Sequence, residues 1–415
     1  MNVRTNAMIS GKRLNRWPKR TKEKCGLLFL VGLFWCLPAR ANTITAATCS
    51  QTDVTTAINA ASAGDTVRVP GPCSVAWSNL TISGKAVTLD GGGTTTLTST
   101  NAISMQSTAT GSSRVTGFIF TGPGNLNLGV IVANGGKTFM PWRIDHCTFI
   151  NDNPTAVSLF NNSPGLLDHN TFTAAAAAEV IHNFAMGAVN GNQGWTDDVA
   201  PGGPTMVFIE DNTFIITNNT TVGSIVQGYY GSRTVIRHNN IQGAGLIDMH
   251  GTCGNIYARW WEVYENTWTV NPGTNQYAYI GMRGGSGVIF NNHVINPGNN
   301  SGGAGIKFIE DCTSGTYPIT GQIGRGINQD YSPAYAWNND PSMIYGIQGK
   351  FVQGNDVFTS TSQPSTMIRC EGASDGGTPG STSCPTTYSY APYKYPHPLQ
   401  GQGPQPPSAL ADVVH

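Results

Sequence analysis

The sequence predicts an all-β, single-domain parallel β-helix, and three observations carry that expectation. Seven segments repeat one pattern: an apolar residue, two variable residues, usually Asn, one further residue, then an apolar or aromatic one. They occupy 144–149, 167–172, 209–214, 236–241, 263–268, 289–294 and 352–357. The step from Ile209 to Ile236 is 27 residues, to Val263 another 27, and to Ile289 another 26, a solenoid period of one turn. The segments are rich in β-branched residues and separated by Asn and Gly, with no helical period, so each unit is a coil of short strands.

Stacked turns bring equivalent residues to about 4.8 Å from one another, as in any sheet. One column then holds Cys147, Asn170, Asn212, Asn239, Asn266, Asn292 and Asn355. Asn accepts the left-handed backbone of a tight bend, and its amide can bond the Asn above and below, so this column reads as a structural ladder. Two residues on, Phe149, Phe172, Phe214, Ile241, Trp268, Val294 and Val357 are apolar throughout and fill the core. Ahead of the repeats, residues 53–62 have helical spacing with Thr52 as N-cap, and this helix caps the open strand edges of the N-terminal end. Early rungs follow at 87–90 and 115–120, and an Ala- and Gly-rich insertion at 173–205 overhangs one face.

The chain divides into a signal peptide at 1–41, the β-helix with its cap at 42–384, and an extended Pro- and Tyr-rich tail at 385–415. Basic residues from Lys12 to Lys24 precede an apolar run, 26–37, and Ala39-Arg40-Ala41 supplies small residues for cleavage. We therefore expect a secreted protein, extracellular or periplasmic, whose mature chain begins near Asn42. The apolar run is too short to span a bilayer comfortably, so no membrane anchor is expected. Nine of the 23 basic residues and only Glu23 of the 23 acidic ones lie in 1–41, which leaves the remainder with a formal charge of −8. Such a balance argues against nucleic acid as a partner. An oxidising destination makes disulfides expected, and local spacing pairs Cys49 with Cys73 and Cys370 with Cys384, with Cys253 and Cys312 as a third pair. Cys147 remains as a buried thiol.

The entry Ala-Ile-Asn-Ala-Ala-Ser-Ala-Gly-Asp-Thr-Val-Arg-Val-Pro at 57–70, together with the Asn-ladder rungs, resembles the secreted right-handed parallel β-helix proteins of the pectate-lyase-like superfamily. The resemblance covers nearly all of the chain beyond the signal peptide and implies a right-handed coil. That superfamily holds polysaccharide lyases, glycoside hydrolases, uronan epimerases, esterases and non-catalytic adhesins, so the site must decide the reaction.

Three successive rungs end in Tyr230-Gly231, His250-Gly251 and Arg283-Gly284, and aligning the glycines stacks Tyr230, His250 and Arg283 on one outward face. Lys307 continues this column, while Gly228, Asp248 and Gly281 lie two residues earlier on the same face. Removing the C5 proton of a uronate requires a neutralised carboxylate, a base at C5 and a proton for the leaving oxygen. Here Arg283 or Lys307 neutralises, His250 is the base oriented by Asp248, and Tyr230 is the acid. Asp248-Met249-His250 also resembles the Asp-Pro-His motif of mannuronan epimerases, with Met in place of Pro. Arg259, Trp260 and Tyr257 are expected to bind or stack on the sugars, with Trp261 beside them. Calcium bridging is a feature of many pectate lyases, but no comparable acid cluster stands beside His250, and calcium stays open as a cofactor.

A rival column, His146, His169, Asp211, His238, Glu265 and Asn291, places imidazoles and carboxylates where a metal could bind. Next to it, Asp145, Asp168, Glu210 and Arg237 read as a solvated stripe. A hydrolase would use Asp248 with Glu262 or Asp197, and a carbohydrate-binding adhesin would need no titratable base at all. The expectation is a monomeric lyase acting on an acidic polysaccharide by β-elimination, with C5 epimerisation, hydrolysis and binding alone as alternatives.

Overall fold

A computed structural model describes residues 41–99, 101–106, 111–121, 130–133, 142–151, 155–160, 164–174, 180–184, 199–217, 224–251, 257–297, 299–300, 305–310, 317, 321–326, 330–370 and 386–401. Residues 1–40, which hold nearly all of the expected signal peptide, and Asp197, Cys253, Cys312 and Cys384 lie outside these residues. The coil is a parallel β-helix. A typical rung runs from Arg233–Arg237 through Asn240–Gln242 to Leu246–Met249, and the next repeats it with Trp260–Tyr264, Thr267–Thr269 and Ile280–Met282. The first two strands of each rung belong to one long sheet of 19 described strands, and the third strands form a second sheet of 10.

The bend between the first two strands explains the repeat. His146, His169, Asp211, His238, Glu265, Asn291 and Asn338 all take a left-handed backbone, with φ between 48° and 57°. Sequence reasoning placed that conformation on the ladder Asn, but the strained residue is the one before it. The Asn compensates. The Asn212 side-chain amide donates to Leu167 O at 2.8 Å, to Glu210 O at 2.9 Å and to Asn239 Oδ1 at 3.1 Å, while its own Oδ1 accepts from Asn170 N at 3.0 Å. Each amide thus satisfies carbonyls that a sharp bend would otherwise bury unpaired. The ladder continues from Asn292 to Asn339, at 2.9 Å, and not to Asn355, which correctly places the next rung at Ala334–Trp337. Val357 belongs to a first strand, paired with Ala334.

Inside the bend, Phe120, Phe149, Phe172 and Phe214 stack with centroids 4.6, 4.8 and 5.0 Å apart. The single α-helix among the described residues, Gln51–Ala60, buries Val54, Ala57 and Ile58 at the N-terminal end. Its N-cap is Ser50, whose Oγ accepts from Asp53 N, so the helix starts two residues earlier than Thr52 as N-cap predicts. Cys49 and Cys73 are free thiols in contact, and burial and the Cys49 hydrogen bond push the Cys73 thiol up to about 11. Cys370 is disulfide-bonded, and Cys147 is a free buried thiol in the ladder column. No described helix is long and apolar enough to cross a membrane.

Residues 390–400 form a strap over the first sheet, and their contacts overturn the expected solvated stripe. Asp145, Asp168, Glu210 and Arg237 are all fully buried. Arg143 binds Asp168 through Nε at 2.8 Å and Nη2 at 2.7 Å, and reaches Leu399 O at 3.1 Å. Arg237 joins Glu210 Oε2 at 2.6 Å, Tyr264 Oη at 2.9 Å and Tyr393 O at 2.6 Å, and His397 N donates to Glu210 Oε1 at 2.8 Å. Charges removed from water need this number of partners, and the strap supplies them from residues 390–400. Arg114's hydrogen bond and the charge of Arg143 outweigh burial and hold Asp145 below the usual carboxylate range, whereas burial wins at Glu210 and raises it.

Candidate active site

The second sheet sets the site by register. Gln227 pairs with Asp248, Asp248 with Gly281, and Gly281 with Lys307, which makes one outward column. Between them Gly228, Met249, Met282 and Phe308 point inward, and a Cβ on Gly228 would lie 2.5 Å from Met249 Sδ. The pattern continues past the strand ends, where His250 N donates to Gly228 O at 2.9 Å and Arg283 N to Met249 O at 2.8 Å. The glycine alignment holds for two rungs. A Cβ on Gly251 would meet Arg283 O at 1.6 Å, so the two turns touch backbone to backbone.

It fails for the third. A bulge between Ser224 and Val226 shifts that strand by one residue, so Tyr229, and not Tyr230, stands beside His250. The Tyr229 and His250 rings stack with centroids 4.2 Å apart and planes at 18°. Tyr230 turns off in a left-handed conformation, φ 48°. No residue type in 224–230 announces such a bulge.

Asp248, His250 and Arg283 form a cluster. Arg283 grips Asp248 with two donors, Nε to Oδ1 at 2.8 Å and Nη2 to Oδ2. The same Nη2 lies 2.5 Å from His250 Nε2. A guanidinium only donates, so Nε2 is the acceptor and carries its lone pair toward Arg283, which leaves the ring proton on Nδ1. Gln227 Nε2 stands 3.4 Å from Asp248 Oδ2. Asp248 is buried, whereas the His250 and Arg283 side chains are 18% and 23% exposed and reach the surface. Arg283 is therefore committed to a carboxylate of the protein, which changes the role open to it from sole ligand of a substrate anion to positioner of His250.

Lys307 sits across Gly281 from Asp248, two strand spacings or about 10 Å along the sheet. Burial lowers its pKa, and its Nζ lies 3.3 Å from the centre of the Tyr277 ring, a contact that stabilises an ammonium short of water. Sequence reasoning missed Tyr277, which has no repeat position to mark it. Gly281 leaves the floor between the two charged groups open.

The expected sugar-stacking residues are elsewhere. Trp260 and Arg259 are fully buried, Tyr257 nearly so, and Trp261 is in the core with Nε1 on Gly284 O at 3.1 Å. None presents a face to a ligand. Trp260 Nε1 instead donates to Glu262 Oε1 at 2.9 Å, and Tyr390 donates to Glu262 Oε2 at 2.7 Å under the strap. The rival column is the row of bend residues: His146 and His169 stack 5.2 Å apart with Nδ1 on Asp145 and Asp168, and His238 is covered by the Tyr395 ring at 3.6 Å. Among the described residues no group of three or more His, Cys, Asp or Glu is arranged to hold a metal ion.

No protein-family model matches this chain, and no curated protein does. Two solved structures are similar to part of this chain. One is the PL6 family alginate lyase AlyGC, 12% identical, aligned over 86% of this chain and 57% of that one with a TM-score of 0.33. The other is a single-substitution mutant of the same enzyme, 13% identical over the same shares with a TM-score of 0.30. This chain spans a little over half the length of those proteins.

Proposed function

We propose that this chain is a polysaccharide lyase that breaks a uronate-containing polysaccharide by β-elimination, and that it is exported to do so. The observation that carries the reading is an imidazole whose Nε2 lone pair is held on a guanidinium donor, with Asp248 of the same cluster one glycine from a partly desolvated ammonium. A sugar carboxylate resting over Gly281 is neutralised by Lys307, which acidifies the adjacent C5 proton. His250 takes that proton through Nε2 once the incoming C5–H displaces the Arg283 Nη2 hydrogen bond, Arg283 staying on Asp248. The C5–H electrons form the C4=C5 double bond, the C4–O bond breaks, and the Tyr229 phenol protonates the departing oxygen. Asp248 holds Arg283, and through it the ring, in place.

The same proton abstraction serves an epimerase, which returns the proton to the other face of the sugar. A hydrolase built on Asp248 and Glu262 fits less well, because Arg283 occupies the first carboxylate and Tyr390, Trp260 and Gly202 seal the second. The test is ultraviolet absorbance of unsaturated uronate products from pectate, alginate, glucuronan and glycosaminoglycans, with calcium or with chelator, beside His250→Ala. A signal lost in the variant supports elimination with His250 as base. Silence across the panel, with no new reducing ends and no solvent exchange at C5, sinks the catalytic reading for these polymers. Export is tested separately by N-terminal sequencing of the protein outside the cell, which should begin near Asn42.

A further inference from the structure

The N-terminal cap carries a pair of thiols that the lyase reading does not use. Cys49 stands immediately before Ser50, the N-cap of the Gln51–Ala60 helix, and Cys73 opens the strand Cys73–Val75. Three hydrogen bonds press the start of the helix onto the segment that follows this strand. Trp77 Nε1 donates to Cys49 O at 3.0 Å, Gln51 Nε2 donates to Ser78 O at 2.9 Å, and Ser78 N donates to Gln51 Oε1 at 2.8 Å. Trp77 is fully buried and packs edge-on against Phe118, with centroids 5.8 Å apart, so the anchor of Cys49 is itself part of the core. Cys73 in turn pairs with Thr95 of the strand Thr88–Leu97. Both backbones are thus fixed, and the two side chains meet thiol to thiol.

The environment of the pair decides what chemistry it suits. Both thiols are partly exposed, whereas Cys147 is buried and donates to Asp145 O at 3.4 Å, so a small oxidant reaches Cys49 and Cys73 and not Cys147. A structural zinc needs four ligands, and among the described residues no third His, Cys, Asp or Glu joins the two thiols. Burial holds Cys73 as the thiol, so the reduced pair lacks the stabilised thiolate that makes a disulfide easy to reduce. The position of the pair gives a bond between them its consequence. The segment they would close, 50–72, contains the whole helix and the strand Thr66–Arg68, which together make up the cap. The helix buries only Val54, Ala57 and Ile58 of its ten residues, a small anchorage at an end of the coil, where local opening costs least.

We propose that Cys49 and Cys73 are an oxidation site whose disulfide, formed by exchange with a disulfide oxidant such as oxidised glutathione, locks the N-terminal cap to the coil. One thiolate attacks a glutathione sulfur and expels the other glutathione as thiolate; the second cysteine then attacks the mixed disulfide and expels the remaining one. The cysteines give up two protons and two electrons, which leave as two glutathione thiols. The test exposes the full chain, first reduced and then freed of reductant, to oxidised glutathione, alkylates the remaining thiols and maps the peptides by mass. Trypsin cleavage after Arg68, inside the closed segment, then reports opening of the cap. The wild type should yield a Cys49–Cys73 linked peptide, should keep Cys147 as a thiol, and should be cleaved after Arg68 on the order of tenfold more slowly than before oxidation. C49S and C73S should be cleaved at the fast rate with or without oxidant, which separates this bond from the disulfide at Cys370 that all three proteins share. Two free thiols in natively folded, oxidant-treated protein overturn the proposal, as does a link from either cysteine to a different partner. A linked peptide with no change in cleavage, or equal slowing in C49S and C73S, overturns the lock. No polysaccharide enters either readout, so the lyase reading stands or falls separately.

Discussion

Lowering the pH from 7 to 5 should loosen the C-terminal strap through a single histidine. His397 is 8% exposed, packed against the Phe208 ring at 4.6 Å, and its Nδ1 accepts from Leu399 N at 3.2 Å. Burial, and then the charges of Arg237 and Arg143, depress its pKa from 6.5 to about 3. A depressed histidine stabilises the fold above its unfolded pKa, where both states are neutral, and that stability is lost as pH falls and only the unfolded state takes up a proton. Linkage gives a loss of about 2 kcal/mol between pH 7 and pH 5. At pH 5 the folded ring is still neutral, so the loss comes from protonation of the unfolded chain alone. His397→Phe keeps the aromatic packing and forfeits the Leu399 bond, at about 1 kcal/mol, independent of pH. Urea denaturation of both proteins at pH 7 and pH 5 isolates the term, since every other titrating group is common to both. The wild type should lose about 2 kcal/mol more than the variant over this interval. Equal losses would refute the reasoning, and would mean that the strap is already open in the native state.

Three other outcomes follow from the contacts. Asn212→Ala removes three donated bonds and the acceptor for Asn170, and should cost about 3–5 kcal/mol in urea denaturation, against the ordinary 1–2 for an exposed bend. Tyr390→Phe takes one donor from the buried Glu262 carboxylate, whose pKa burial already raises, and should cost about 2–3 kcal/mol, read as faster hydrogen exchange at 390–400. Lys307→Met should lower kcat/KM on the responding polymer by about 100-fold or more while leaving the melt unchanged, and Lys307→Arg should recover part of it; full activity in the Met variant would remove Lys307 from the mechanism.

The parts of the fold that were legible are those that repeat. The Asn column was readable from Asn170 to Asn292 because each turn faces the same problem, a left-handed bend with carbonyls to satisfy, and solves it with the same side chain. The reading slipped at the next rung for a local reason. In Ala336-Trp337-Asn338-Asn339 the ladder Asn is present, but Pro341 stands where the apolar residue of the second strand belongs, whereas Val352 to Val357 keeps the full pattern without being a rung of the ladder. The strap was not legible as the cover of a charged column. Its contacts join residues such as Arg143 and Leu399 that lie far apart in the chain, and neither carries a local sign of the other.

The site was legible to the same limit and for the same cause. Asp248, His250 and Arg283 come together because two successive rungs are in register and share a Gly-Gly turn contact that only glycine permits, a constraint that local sequence does express. Tyr229 and Tyr277 were missed because a bulge and a loop obey no period. The consequence for chemistry is specific. A Tyr230 column would have put three polar side chains in line, with Arg283 free to meet a substrate. The observed arrangement puts an aromatic ring flat on His250 and ties Arg283 to Asp248, so the charge available to an incoming carboxylate comes from Lys307 alone on that side of Gly281.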